Sequence, residues 1–169
     1  KLQDVKLDSA NEGIVSSEPG LAIELTGKNF VHATDVAMKL QQADVTIKGL
    51  GEIEVTADNA AAILLNNAAL TIDRCALKAK GKYGIQGSDA DKDSIIIKET
   101  IISAEGAEGS ICQISNISSK GCKITQPRKA IFDPAKRCVT LNGELVKTEV
   151  IIQPADVNPP TLKDPVVKV

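Results

Sequence analysis

A nine-residue segment of this chain recurs 25 residues further on. Thr71–Ala79 reads TIDRCALKA and Ile96–Ala104 reads IIKETIISA, so the apolar residues and the final alanine fall at the same places. Gly81 and Gly106 keep the same offset through the turn that follows. A fixed period of about 20 to 50 residues is typical of solenoids, in which each unit buries its apolar side against its neighbours. The repeat therefore predicts a stack of similar turns.

The composition agrees with a narrow tube. Apolar residues make up 43% of the 169 residues, yet Phe30, Tyr83 and Phe132 are the only aromatic residues and tryptophan is absent. A thick core depends on aromatic rings because each ring buries a large area. A tube that is filled by stacked Ile, Val, Leu and Ala side chains does not need them. The length suits one domain.

Each repeat divides into three short segments in which apolar and polar residues alternate, which is a strand pattern. Glycine and asparagine between the segments indicate turns. The first segments predict an inward column of Val45, Leu70, Ile95, Ile117 and Val139. The second segments predict an inward column of Val55, Leu77, Ile102 and Ile124. The third segments predict an inward column of Ile63, Ile85, Ile111 and Ile131.

The ends of the chain differ from the repeats. We expect residues 1–19 to be an N-terminal lead-in that caps one end, residues 20–153 to form the solenoid, and residues 154–169, with four prolines, to be a tail or linker. Val139–Leu145 contains Asn-Gly, which suits a type I′ turn, so we predict a hairpin that helps to close the C-terminal end. Val150–Ile152 is predicted to add a last strand.

Three repeat families compete for this pattern. Left-handed β-helices use hexapeptide units and a shorter period, which the spacing here does not fit. Leu70-x-Ile72-x-x-Cys75-x-Leu77 matches the core of leucine-rich repeats, but that repeat needs a helical return with its own leucines. Lys80–Gly87 is short, rich in glycine and poor in helix formers.

The same residues resemble the rungs of right-handed parallel β-helix proteins, which read apolar-x-Ile-x-x-Cys/Asn-x-Ile, a glycine turn and a Gly-Ile strand. The resemblance implies an all-β, single-stranded right-handed parallel β-helix of about five rungs with a C-terminal hairpin cap. Small domains of this type resemble modules of bacterial secreted or surface proteins, which implies a secreted or cell-surface location.

Charge and hydropathy exclude two kinds of partner. The formal net charge is −2, with both signs interspersed, so there is no basic patch to follow a phosphate backbone. Aromatic platforms on which bases stack are lacking too, and we expect no nucleic-acid partner. No apolar run approaches the roughly 20 residues of a membrane span, so we expect none in this chain.

The four cysteines and the single histidine argue against a zinc site, because no Cys/His cluster exists. Cys75 and Cys122 fall in one column two turns apart, about 9.6 Å at the spacing of parallel strands. A disulfide spans at most about 7 Å between Cα atoms, so we predict that both are buried free thiols. The state of Cys112 and Cys138 stays open.

A turn with alternating carboxylates is the best local candidate for a metal site. Asp89, Asp91 and Asp93 offer the hard oxygen ligands that calcium binds. An EF-hand loop needs Gly at its sixth and Glu at its twelfth position, where this chain has Ser94 and Thr100. The turn is therefore either a calcium site or a solvated charged turn; apart from calcium we expect no cofactor.

Tyr83 is the candidate ligand-binding residue, because sugar-binding surfaces use exposed aromatic faces. Its glycine-flanked turn also allows the ring to pack over the turn. Ile96 and Ile101 face outward in this register, which predicts an apolar contact patch; the alternative is that the register of these two residues is wrong.

We therefore expect a non-catalytic extracellular or cell-surface module that serves adhesion, glycan contact or spacing, with a polysaccharide or another surface protein as partner. The alternative is a polysaccharide-acting lyase or hydrolase of the β-helix type. Such an enzyme needs carboxylates and a basic residue together in one groove.

Overall fold

In the computed structural model, which describes residues 1–155, the chain winds as a stack of rungs. The first rung contains β1 (Leu2–Gln3), β2 (Lys6–Ser9) and β3 (Ile14–Ser16), and the second β4 (Leu21–Thr26), β5 (Lys28–Ala33) and β6 (Met38–Gln41). The third contains β7 (Asp44–Gly49), β8 (Glu52–Ala57) and β9 (Ala61–Asn66), the fourth β10 (Ala69–Asp73) and β11 (Ala76–Gln86), and the fifth β12 (Ser94–Lys98) and β13 (Ile101–Cys112). A sixth, incomplete rung contains β14 (Asn116–Lys120), β15 (Cys122–Gln126) and β16 (Ile131–Asp133). The described chain ends with β17 (Cys138–Leu141), β18 (Glu144–Leu145) and β19 (Val150–Pro154).

Strands at equivalent places on successive rungs pair in parallel. The first sheet has the order β1-β4-β7-β10-β12-β14, and its six strands span five turns. A second face stacks β2, β5, β8 and the first halves of β11 and β13, and a third stacks β3, β6, β9 and the second halves of the same two strands. The predicted all-β parallel solenoid of about five turns is confirmed, and residues 1–155 contain no helix.

The core consists of stacked aliphatic columns. Val45, Leu70 and Ile95 are register partners on the first sheet, as are Ile47, Ile72 and Ile97, and all six are fully buried. Residues between them, such as Thr71, point outward because successive side chains of a strand alternate between faces. Each buried side chain of this size contributes about 1.5 to 3 kcal/mol.

One predicted column is wrong on the third rung. Ile53, not Val55, is the register partner of Leu77. The observed pair, Ile53 and Leu77, is 24 residues apart. The predicted offset of 22 residues holds instead on the third face, between Ile63 and Ile85. The two-residue difference arises after the second face, because nine residues separate Ile53 from Ile63, whereas only seven separate Leu77 from Ile85. The corner before Ile53 is also longer by one residue: five residues separate Ile47 from Ile53, whereas four separate Ile72 from Leu77.

The longer corner between β7 and β8 needs an unusual backbone. Gly49 has a φ of +112°, and a Cβ there would lie 2.4 Å from the Leu25 carbonyl oxygen. Only glycine is accommodated in such a conformation at no steric cost. The corner places the next residue, Leu50, in solvent.

The C-terminal end is closed by antiparallel strands. Strand β19 lies between β13 and β15 and is antiparallel to both, so Ile152 separates Ile102 from Ile124, which the sequence placed next to each other. The strands β16, β17 and β18 form an antiparallel sheet against the end of β13. Val139 therefore belongs to this end sheet and not to the first column, and Ile131 is exposed rather than inward.

The predicted hairpin is present between β17 and β18. Leu141 pairs with Glu144, and the two residues between them, Asn142 and Gly143, have φ of 54° and 82°. Two successive positive φ values are those of a type I′ turn.

The first 19 residues take the form of a regular rung that pairs in parallel with the second rung. Residues 156–169, most of the predicted tail, lie outside the described residues, and Pro154 is the last residue of β19. In residues 1–155 no helix is long and apolar enough to cross a membrane.

Candidate functional site

A groove crosses the rungs at the corner between the first and second sheets and continues onto the outer face of the second sheet. It consists of two depressions of about 500 and 350 Å³ that share Lys28, Glu52, Ala76 and Ile101. We call it the corner groove and define it by Lys28, Phe30, Leu50, Glu52, Glu54, Ala76, Lys78 and Ile101.

The groove exists because small residues occupy the corner on four successive rungs. Gly27, Gly51, Cys75 and Thr100 precede the register partners Lys28, Glu52, Ala76 and Ile101 of the second sheet. These short residues leave a channel along the stack, which Leu50, Arg74 and Glu99 also line.

The two polar members of this corner column are held by the backbone of the previous rung. The Thr100 hydroxyl donates to the Cys75 carbonyl, and the Cys75 thiol lies 3.7 Å from the Ile47 carbonyl oxygen. The Cys122 thiol continues the ladder, 3.8 Å from the Thr100 carbonyl oxygen. The prediction that Cys75 and Cys122 are buried free thiols is confirmed. Burial raises the pKa of the Cys75 thiol to about 11, so it stays protonated at neutral pH.

Exposed apolar side chains concentrate at the corner groove. Leu50 is 96% exposed, Ile101 50% and Phe30 43%, and these are three of the five large exposed hydrophobic residues in the described chain. Clustered exposed apolar groups indicate a contact surface, whereas single ones are ordinary. Ile101 was predicted to face outward and does so.

Ile96, its predicted partner in that patch, lies elsewhere. It is half-buried on the outer face of the first sheet, between its register partners Thr71 and Ser118. The sequence missed Phe30 and Leu50 as the residues that accompany Ile101.

The charges of the corner groove alternate in sign. The Lys28 ammonium lies 3.8 Å from the Glu52 carboxylate, and both side chains are exposed. On the next outward column Glu54 is the register partner of Lys78. Exposed pairs of this kind contribute about 0 to 1 kcal/mol to stability, so they leave polar groups available for a ligand.

The structure separates the three aspartates of the predicted calcium turn. Asp93 is fully buried, Asp91 forms an ion pair with Arg137 at 2.6 Å, and the Asp89 carboxylate accepts from the Gln113 amide at 3.0 Å. No group of three His, Cys, Asp or Glu side chains that could hold a metal occurs within residues 1–155. Calcium binding here stays a prediction.

Asp93 accepts four hydrogen bonds that tie the turn to the stack. Its Oδ2 accepts from the Ser88 amide at 2.6 Å, the Ser88 hydroxyl at 2.7 Å and the Ala90 amide at 3.2 Å. Its Oδ1 accepts from the buried Ala68 amide at 3.0 Å, just before β10. These bonds close the turn and fix it to the fourth rung.

Tyr83 lies outside the corner groove. It is half-buried on β11, its ring approaches Gly109, and its hydroxyl donates to the Glu108 carboxylate at 3.1 Å. The Glu108 carboxylate raises the pKa of the Tyr83 phenol. A ring in this position packs over its turn, and its role in ligand binding stays a prediction.

His32 joins three rungs on the outer face of the second sheet. Its Nδ1 lies 2.6 Å from the Asp8 carboxylate on the first rung, and its Nε2 lies 2.9 Å from the Asp58 carboxylate after β8. The hydrogen bonds to Asp8 and Asp58 raise the pKa of His32 above its usual 6.5.

The His32 bridge is expected to make stability depend on pH. Because the pKa is higher in the folded than in the unfolded chain, the contribution is fully present below about pH 6.5 and is lost as pH rises through the folded value. Thermal unfolding of the wild type and His32→Gln, at about pH 5.5 and about pH 9, checks this. The difference in Tm between the two proteins should shrink at the higher pH. A difference that grows with pH would contradict the assignment.

Comparisons of this chain with protein-family models, curated proteins and solved structures find no match.

Proposed function

We propose that this protein is a non-catalytic module of the cell surface or extracellular space, and that its corner groove binds an extended polysaccharide. The observation that carries the proposal is the concentration of Phe30, Leu50 and Ile101 in one polar-rimmed groove. The location rests on the resemblance to secreted and surface β-helix modules.

The shape of the groove favours a long ligand. It crosses the second to fifth rungs, and three steps of about 4.8 Å make it about 14 Å long. Within residues 1–155 nothing covers the groove, so an extended polymer can lie along it.

The groups of the groove suit sugars. The exposed face of Phe30 offers an apolar surface for the C–H groups of a sugar ring. Lys28, Glu52, Glu54 and Lys78 surround it with donors and acceptors for hydroxyl groups. Because the two signs balance, a neutral or weakly charged polymer fits better than a highly charged one.

A second candidate function is lyase or hydrolase activity on an acidic polysaccharide in the same groove. The presence of Glu54 beside its register partner Lys78, with Lys28 in the same depression, favours it, since such enzymes combine carboxylates with a basic residue. We prefer binding because Lys28 pairs with Glu52, and because the exposed apolar side chains Phe30, Leu50 and Ile101 line the same groove.

Glycan-array binding by the full chain tests the first proposal. We expect Phe30→Ala and Ile101→Ser each to weaken binding at least about tenfold, because both remove apolar contact area that lines the groove. Val15→Ser is the matched control, since Val15 is 49% exposed on β3, on the third face, and should leave binding unchanged.

Three outcomes contradict a binding groove: no glycan bound by the wild type, equal loss in Val15→Ser, or no loss in Phe30→Ala. A parallel screen for products from uronic-acid polymers separates the second candidate. If the wild type forms product and Glu54→Gln or Lys78→Ala abolishes it, the groove is a catalytic site and the binding proposal is wrong.

A further inference from the structure

We propose that Cys112 and Cys138 form a disulfide that fastens the C-terminal hairpin to the fifth rung. Both are free thiols in the structure. They are register partners in the antiparallel pair of β13 and β17. Directly opposite residues of an antiparallel pair have Cα atoms about 4.5 to 5.5 Å apart, within the range of about 4.4 to 6.8 Å that disulfides span.

The two side chains lie on the same side of the sheet, because directly opposite residues share a face. Cys112 pairs with Gln86, next to the inward partners Ile85 and Ile111, so it points away from the interior of the tube. The hairpin covers this side, because Leu145 of β18 and the Cys112 Sγ both lie next to Gly109. A Cβ built on Gly109 would be 3.3 Å from Leu145 and 3.0 Å from the Cys112 Sγ.

Both thiols are covered but close to the surface. Cys112 is 6% and Cys138 7% exposed. Burial raises the pKa of both thiols, to about 12 for Cys112, and so slows their reaction at neutral pH. The charges of Asp89 near Cys112 and of Asp133 near Cys138 act in the same direction.

The other two cysteines provide an internal comparison. Cys75 and Cys122 are also buried and free, but Thr100 lies between them in the corner column. Two parallel-strand steps, about 9.6 Å, exceed what a disulfide spans. Of these two pairs, only Cys112 and Cys138 therefore lie within the distance that a disulfide spans.

The chemistry is thiol–disulfide exchange with a small-molecule disulfide such as glutathione disulfide. The Cys138 thiolate attacks that disulfide, forms a mixed disulfide and releases one glutathione thiolate. The Cys112 thiolate then attacks the Cys138 sulfur and releases the second. Two protein thiols are oxidised, one glutathione disulfide is reduced to two thiols, and these take up the two protons that the cysteines lose.

The test is to unfold the full chain in urea, refold it in a glutathione redox buffer at about pH 8.5 and count its free thiols. We expect two of the four thiols to remain, and peptide mapping without reductant to link Cys112 to Cys138. The Tm should rise by about 5 to 10 °C and return to the reduced value with dithiothreitol. Cys138→Ser should refold with three free thiols and no rise.

Four free thiols after refolding, a Cys75–Cys122 link, a link between chains, or an unchanged Tm despite the mapped link would each overturn the proposal. Mapping the wild type keeps the test decisive even if Cys138→Ser fails to fold.

Discussion

Asp93→Ala is expected to lower the free energy of unfolding by about 3 to 4 kcal/mol. The substitution removes an acceptor from four donors, among them the buried amide of Ala68. Urea denaturation followed by circular dichroism measures the loss. Asp93→Asn should cost less than alanine, because its oxygen can still accept from Ala68 while its NH2 group faces the three donors of Ser88 and Ala90.

Asp91→Ala is the matched control for that experiment. The Asp91 side chain is 94% exposed, and its ion pair with Arg137 is at the surface. Its removal should change the free energy of unfolding by less than about 1 kcal/mol. Equal losses in Asp91→Ala and Asp93→Ala would show that the turn acts through charge rather than through its buried hydrogen bonds.

Ile72→Ala is expected to destabilise the fold by about 3 to 4 kcal/mol. Ile72 is fully buried between Ile47 and Ile97, and its neighbours are fixed by backbone pairing on both sides. Since the rungs cannot collapse into the gap, the cavity remains. The same denaturation experiment checks it.

Thr71→Ala tests whether that loss comes from the column. Thr71 is adjacent on β10 but points outward, so its replacement should stay within about 0.5 kcal/mol. A loss in Ile72→Ala of less than about 1 kcal/mol would mean that the first-sheet column is not the main source of stability.

Much of the fold could be predicted from the sequence because alternation reports which side of a strand is buried. Val45, Leu70 and Ile95 were placed correctly for this reason. Alternation does not report the length of a corner, so the offset of 22, which holds on the third face, was also assumed for the second face and misplaced the partner of Leu77 by two residues. Nor does it report which strand is the neighbour. The antiparallel insertion of β19 beside Ile102 therefore had no signal in the repeat.

The site was harder to predict, because exposure at a corner depends on backbone geometry. Leu50 is flanked by Gly49 and Gly51, and that local pattern is a turn signal which would have placed this leucine in solvent. His32 lies 24 residues after Asp8 and 26 before Asp58, close to one repeat in each direction. Applying the repeat to charged residues as well as to apolar ones would have found the bridge.

The placement of β19 has a consequence for how the protein is made. The strand comes from residues 150–154, yet it occupies a central position between β13 and β15. On the ribosome, the first five rungs can stack as they emerge, whereas the only strand that pairs with β15 within residues 1–155 is Val150–Pro154, which emerges later. A nascent or truncated chain that stops before Val150 therefore carries two bare strand edges side by side, and such edges invite aggregation.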